Sequence, residues 1–320
     1  MQDAIENFTK QFEFTPKIEN GESLQKATSF VVGGMGGSHL AADLLSIYDK
    51  NIPLLIHKNY GLPKLSETVA KSSLYIASSY SGNTEEILDF AKEALLSRLN
   101  LAIIAVGGKL IDFAVSNNIP YIKLPDTGIQ PRSAIGFSLL ALVHLIGESE
   151  IEKELSSMIS ILDPKSQEES GKDLARVLSG KIPVIYSSSI NTPIGYNWKI
   201  KFNETSKIPS FYNVFPELNH NEMAGMDVIP STKKLSDNFY FIFLSDSADH
   251  PRIQKRMEIT KKLYMDRGLE VATIDLSGKT TSEKIFNSLL LADWTALHLS
   301  KIYDTEPDKV VIVEEFKKLI

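Results

Sequence analysis

The first half of the chain alternates short apolar runs with stretches of helical spacing. Residues 29–32, 52–56, 74–78, 101–106 and 121–124 are runs of strand length, rich in Val, Ile and Leu. Helical periodicity fills 39–49 and 85–97, and a long, largely apolar stretch covers 131–146. A strand with one face in water would alternate apolar and polar residues, and these runs do not. They predict a parallel sheet covered by helices on both faces.

Residues 151–180 are charged and Ser-rich with helical spacing, which predicts a connecting helix. The pattern then restarts, with strands expected over 183–187, 239–244 and 269–274 and helices over 192–207, 252–266 and 281–301. Residues 209–230 break the pattern and are rich in Asn, Glu, Pro and aromatics, as expected of a long functional loop. Each half opens on a strand that leads into Ser- or Gly-rich residues and a helix, which suggests an internal duplication. The expected organisation is a first α/β domain over 1–150, a connecting helix over 151–180 and a second α/β domain over 181–320.

Composition agrees with folded domains: 320 residues, 43% hydrophobic and 23% charged. A net charge of −6 and the lack of a basic stripe argue against a nucleic-acid partner. With no cysteine, the chain has no disulfide, no thiolate metal site and no cysteine nucleophile, and it fits a reducing, cytoplasmic setting. The first fifteen residues are polar and acidic, unlike a signal peptide. The longest apolar stretch, 135–146, is too short to cross a bilayer, so no membrane partner is expected.

The sharpest local signal is Ser78-Ser79-Tyr80-Ser81-Gly82-Asn83-Thr84, at a strand-to-helix junction. The first amides of a helix lack internal partners and carry partial positive charge, so a phosphate placed there accepts their hydrogens. Hydroxyls of Ser79, Ser81 and Thr84 add donors, and Gly82 permits close approach. One serine there would be an ordinary helix cap, but four hydroxyls around a glycine point to an anion. Gly33-Gly34-Met35-Gly36-Gly37-Ser38 is a second glycine-rich turn. It fails the dinucleotide pattern, because His39 replaces the last glycine and the next strand ends in His57-Lys58 rather than an acid. Ser38 there is available to a small ligand. Arg132, after Gln130-Pro131, adds positive potential at the start of the long helix and suits a phosphate or enediolate oxygen.

In the second half, Thr192-Pro193 starts a helix that carries Glu204 near its carboxyl end. A carboxylate is disfavoured there, which suits a group that must take up a proton. His220 lies in Pro216-Glu217-Leu218-Asn219-His220-Asn221-Glu222 and is a candidate proton shuttle, with Glu217 and Glu222 near enough to orient it. Their spacing matches no strong metal motif. His144 reads as a core residue on the apolar helix. Thr280-Thr281-Ser282-Glu283 caps the last long helix, on which Asp293, Leu297 and Lys301 share a face.

Together these segments resemble the bifunctional phosphoglucose/phosphomannose isomerases, relatives of phosphoglucose isomerase built from two sugar isomerase (SIS) domains. The resemblance rests on Gly36-Gly37-Ser38, Ser79 to Thr84, Gln130-Pro131-Arg132, Phe202-Asn203-Glu204 and Asn219-His220-Asn221-Glu222, in family order over nearly the whole chain. It implies two flavodoxin-like, doubly wound α/β domains. It implies phosphate and substrate contacts at Gly37, Ser38, Ser79, Ser81, Thr84 and Arg132, a catalytic base at Glu204, a ring-opening histidine at His220 and a lysine at Lys301. On that alignment Trp294 stands where relatives carry glutamine or threonine, and its bulk would bear on which sugar is accepted. The implied reaction interconverts glucose 6-phosphate, and also mannose 6-phosphate, with fructose 6-phosphate through a cis-enediol. It needs neither metal nor organic cofactor. The implied partners are the sugar 6-phosphate and a second copy of the chain, in a homodimer with shared active sites. Two other readings keep the same domains. One is a non-catalytic sugar-phosphate sensor, which would keep Ser79, Ser81 and Thr84 without needing Glu204 or His220. The other is a related amino-sugar isomerase or an epimerase.

Overall fold

The computed structural model describes residues 1–319; Ile320, the last residue of the second expected domain, lies outside them. The described chain forms two compact units. One comprises residues 7–161, and the other comprises residues 1–6, with the short helix α1 (Gln2–Glu6), together with the chain from Leu162 onward.

The unit of residues 7–161 is built on a six-stranded sheet of β1 (Ile18–Glu19), β2 (Ser29–Gly33), β3 (Leu54–His57), β4 (Ser73–Ser78), β5 (Asn100–Ala105) and β6 (Tyr121–Lys123), in the order β1-β6-β5-β4-β2-β3. Strands β2 to β6 are parallel, and β1 adds an antiparallel edge that the apolar pattern did not announce. The parallel strands run second, first, third, fourth, fifth, which is the flavodoxin-like doubly wound order. Every residue of the central strand β4 is buried, as both faces are covered.

Helices α2 (Leu40–Tyr48), α3 (Glu67–Ser72), α4 (Glu85–Leu96) and α5 (Gly108–Ser116) link the strands, and α6 (Ile135–Ile146) and α7 (Ser149–Ile161) follow. The helix expected over 131–146 begins with a separate 3-10 turn, Pro131–Ser133, which sets Arg132 apart from α6. Gly147 ends α6 in the left-handed region at φ +84, where glycine bears no Cβ penalty.

The segment 151–180 is not one helix. α7 ends at Ile161, Asp163 caps the turn that starts at Pro164, and α8 (Glu168–Leu178) belongs to the other unit. That unit has a parallel sheet of β7 (Ile182–Ser188), β8 (Phe211–Phe215), β9 (Phe239–Ser245) and β10 (Glu270–Asp275), ordered β10-β9-β7-β8. Its winding repeats second, first, third, fourth, in keeping with the duplication read from the sequence. Strand β8 falls inside the stretch expected to be irregular.

The crossover from β7 to β8 is α9 (Thr192–Lys201), which runs directly into a π-helical turn, Phe202–Ser206. After β8 come the short helices α10 (Glu222–Gly225) and α11 (Lys233–Ser236), then α12 (Pro251–Met265), α13 (Thr281–Ile302) and α14 (Val311–Lys317). Ile185 and Ser187 face α9, and α13 packs beside α9. Val184, Tyr186, Phe215, Phe241 and Phe243 face the other way, onto Met257 and Tyr264 of α12. The sheet therefore separates an α9–α13 layer from an α12 layer. No helix of the described residues is long and apolar enough to cross a membrane.

Candidate active site

In the unit of residues 7–161, three turns converge beyond the carboxyl ends of β2 and β4, where the strand order reverses. Open α/β sheets bind ligands at such a point. The first is the 3-10 turn Gly36–His39. Ser38 is buried there, and its Oγ accepts the Tyr80 amide at 2.9 Å, while Ser78 Oγ donates to the Ser38 carbonyl at 3.0 Å. The second is the serine loop. Ser79 Oγ and Thr84 Oγ1 lie 2.8 Å apart, the Gly82 amide donates to the Ser79 carbonyl at 3.0 Å, and the Asn83 amide donates to Ser81 Oγ at 3.3 Å. Thr84 is the N-cap of α4 but makes no side-chain cap bond, its hydroxyl being turned to Ser79. That hydroxyl therefore caps neither Glu85 nor Glu86 at the start of α4, while the Ile87 amide donates to the Thr84 carbonyl at 3.2 Å.

The third turn, Pro131–Ser133, lies against Gly37. A Cβ on Gly37 would come within 2.8 Å of Pro131 Cβ and 3.0 Å of the Arg132 nitrogen, so only glycine lets these turns meet. Arg132 is 1% exposed, with its backbone nitrogen against Gly37. The structure therefore brings Gly37, Ser38, Ser79, Ser81, Thr84 and Arg132 into one unit around one switch point. It also adds residues that the sequence did not flag. Gly107 and Gly108 underlie the serine loop, and the Leu110 amide donates to the Gly82 carbonyl at 2.9 Å. A Cβ on Gly82, at φ +69, would sit 1.8 Å from the Gly107 carbonyl oxygen.

The corresponding switch point of the other unit, between β7 and β9, is filled by its own side chains. Asp246 accepts Lys284 Nζ at 2.7 Å, the Ala248 amide at 2.9 Å and Asn191 Nδ2 at 3.4 Å. Lys284 and these amides hold the Asp246 carboxyl below its usual range, against the opposing effect of burial. Asp249 is buried beside it with Oδ2 lacking a hydrogen-bond partner among the described residues, and burial pushes its pKa up. This switch point is thus occupied by a carboxylate–lysine pair and a buried carboxyl, unlike the hydroxyl-lined one of the first unit.

That other unit supplies the proton-transfer candidates. Glu204 lies in the π-helical turn rather than at the end of a continuous α-helix over 192–207 as expected. Phe202, Thr205 and Ser206 of the turn are buried, while Asn203 and Glu204 are half-buried on its open side. Ser206 Oγ donates to the Ala296 carbonyl of α13 at 2.9 Å, Asn203 Nδ2 donates to the Ile208 carbonyl at 2.9 Å, and Lys207 turns back to the Glu204 carbonyl. π-turns of this kind are uncommon and recur at functional sites.

His220 is exposed at the end of a 3-10 turn, Glu217–His220, and borders a cavity of about 340 Å³ lined by Met223, Met226, Leu263, Tyr264 and Arg267. Its flanks are pinned. Asn219 Nδ2 donates to Thr260 Oγ1 at 2.9 Å, and Glu222 turns inward to accept Tyr186 and Asn213. Burial, with Tyr264 and Glu222 adding to it, pushes the Tyr186 hydroxyl far up, so it remains a donor to Glu222. Glu222 thus anchors the segment from beneath, and Glu217 accepts Asn221 Nδ2 at 2.9 Å. Glu204 lies in the α9–α13 layer and His220 in the α12 layer, on opposite faces of one sheet.

Lys301, at the carboxyl end of α13, is exposed and donates to Gln2 Oε1 at 3.2 Å. Trp294 does not offer its ring to a ligand, contrary to the expectation that its bulk faces the sugar. It is fully buried, its indole donates to the Pro164 carbonyl at 2.7 Å, and a Cβ on Gly171 of α8 would lie 2.5 Å from Trp294 Cβ. His144 is likewise not a closed core residue: it is half-buried, with Nδ1 3.0 Å from Glu152.

The family described as bacterial phospho-glucose isomerase C-terminal SIS domain matches residues 167–320. A bifunctional phosphoglucose/phosphomannose isomerase of Caldicellulosiruptor bescii is 34% identical over 98% of this chain and 95% of its own. Another, from Aquifex aeolicus, is 31% identical over 98% of this chain and 96% of its own. Among solved structures, a glucosamine-6-phosphate deaminase from Thermotoga maritima superposes with a TM-score of 0.66 at 15% identity, covering 96% of this chain and 95% of that one. That last likeness bears on the fold alone.

Proposed function

The chain belongs to the bifunctional phosphoglucose/phosphomannose isomerase family, and on that premise we propose that it interconverts glucose 6-phosphate and mannose 6-phosphate with fructose 6-phosphate. The observation that carries this reading is the hydroxyl-lined cradle at the switch point of residues 7–161. Hydroxyls and helix amides there take a phosphate and leave the proton chemistry to other residues.

The cradle residues Gly37, Ser38, Ser79, Ser81 and Thr84 hold the phosphate and so fix the sugar. His220 moves a proton between the C1 hydroxyl and the ring oxygen, and the ring opens; Lys301 assists at that oxygen. Glu204 takes the proton from C2 of the open aldose, giving a cis-enediolate; the proton of the O2 hydroxyl passes to O1, and Glu204 returns its own proton to C1 to give the ketose. Glucose and mannose 6-phosphates differ only at C2, so both pass through the same enediolate. Arg132 stabilises the oxygen on which negative charge develops. Every step moves only protons.

The histidine comes from a second copy of the chain. Glu204 and His220 lie on opposite faces of one sheet, and an exposed imidazole becomes an effective acid–base group only when another surface covers it. This reading makes the protein a cytosolic homodimer with shared active sites, serving glycolysis and gluconeogenesis.

The test is direct. Fructose 6-phosphate incubated with the protein in EDTA is expected to yield glucose 6-phosphate and mannose 6-phosphate. Glu204→Gln is expected to abolish both products while leaving binding of a phosphate-bearing, non-reacting sugar acid intact. Full turnover by Glu204→Gln contradicts the role of the base.

A further inference from the structure

The π-turn that carries Glu204 depends on its contacts with α13. A π-turn places one extra residue in the helical ladder, so its neighbours must set the direction in which Glu204 points. Apolar packing around Trp198 and Phe202 is non-directional and tolerates sliding. Three polar contacts to α13 do not: Trp198 Nε1 donates to Ser288 Oγ at 2.9 Å, six residues before Glu204, and the other two lie closer to it. Ser206 Oγ meets the Ala296 carbonyl two residues after Glu204. Three residues before it, Lys201 Nζ meets Asp293 Oδ1 at 2.7 Å, with side chains only 2% and 4% exposed.

A buried ion pair is a poor source of stability, because desolvation offsets most of the attraction. It is directional, however, and breaking it by rotation leaves an uncompensated charge in the interior. Lys201 is the last residue of α9 before the register changes, and Asp293 lies on the α13 face that meets the π-turn, one turn before Ala296. Rotation of the turn by one residue would swing Glu204 by about 100° and would part Lys201 from Asp293.

We infer that the buried Lys201–Asp293 pair is the positioning element of the catalytic base, fixing the rotation of the π-turn and hence the aim of Glu204. The inference rests on the isomerase reading with Glu204 as base. It assigns Lys201 no contact with substrate. The cradle lies in the other unit and is untouched by changes to the pair, so substrate binding and turnover should separate.

The test replaces both partners by apolar residues of similar volume, Lys201→Met with Asp293→Leu. The double variant is expected to fold with an unchanged or higher thermal midpoint. Its KM for fructose 6-phosphate should stay within about twofold of the parent, while kcat falls about 10²-fold, the cost of an ångström-scale misplacement of a reacting group. Asp293→Asn, which keeps the shape and removes the charge, should show the same split to a smaller degree, and decides the matter if the double variant does not fold. A well-folded double variant, or failing that Asp293→Asn, with parental kcat overturns the inference. So does a rise in KM accompanied by falls in both kcat and thermal midpoint, since that marks a merely structural role. Glu204→Gln run in parallel separates the two ideas. If it is inactive while the pair variants are fully active, only the positioning role fails; if it is active, the reading beneath it fails.

Discussion

Asp249 and Gly82 occupy equivalent neighbourhoods in the two sheets and meet opposite demands. Gly82 is at φ +69 against the Gly107 carbonyl, where any side chain would collide. Asp249 instead fills its switch point with a buried carboxyl that burial makes harder to ionise. The consequence for stability has a definite sign. The unfolded aspartate titrates near about 3.9, and the folded value lies above it. Between the two, the folded state keeps a proton that the unfolded chain has lost, so this group's contribution to stability falls as pH rises through that window. Asp249→Asn should therefore gain on the parent at pH 7 more than at pH 4 in thermal or urea unfolding. An equal difference at both pH values contradicts this account. At this scale, the serines and Gly37 were legible because hydroxyls crowded around a glycine have few structural uses. Gly108 was not, since it acts by making room for Ser81 and Asn83, which a Cβ there would meet at 2.7 Å. The Lys201–Asp293 pair was invisible for another reason: its partners are 92 residues apart, and Asp293 was read only with Leu297 and Lys301 on its own helix.

Elements were legible where burial imposes a continuous apolar run, as in β4 and β9, and illegible where it does not. Strand β8 has two exposed residues at its start and lies between prolines, so it read as part of a loop. Helix α5 begins at Gly108, after Gly107, and buries only Leu110 and Ala114, too few to show a period. The turn at Phe202–Ser206 has no local signature, because its register is set by α13. Helix α13 also carries the sharpest correction. Trp294 faces α8 and the Pro164 carbonyl, where the missing side chain of Gly171 admits it. Trp294→Phe should cost about 1–3 kcal/mol through the unpaired Pro164 carbonyl and lost contacts, measured by denaturant unfolding. It should leave the ratio of glucose 6-phosphate to mannose 6-phosphate formation unchanged. A shifted ratio at parental stability would return Trp294 to a role in sugar choice.

In the whole molecule, the proposed function divides the work between two units of the same winding. It gives one the anion at its hydroxyl-lined switch point; the other fills its switch point with Asp246 and Asp249 and carries the proposed acid–base residues Glu204 and His220 on the two sides of its sheet. The duplication was legible as two strand-to-helix openings rich in Ser or Gly, and the division of labour followed from the resemblance; what the sequence hid is that Asp246, Lys284 and Asp249 fill the second switch point. The placement of Glu204 and His220 on opposite faces of one sheet is the central consequence, and subunit mixing tests it. Glu204→Gln and His220→Asn, each inactive alone, are mixed under conditions that allow subunit exchange, and isomerisation of fructose 6-phosphate is followed. With random exchange, half the dimers are mixed and each has one intact site of two, so about a quarter of the parental activity should return. No recovery above the separate variants, with exchange verified, would contradict an active site completed by a second copy of the chain.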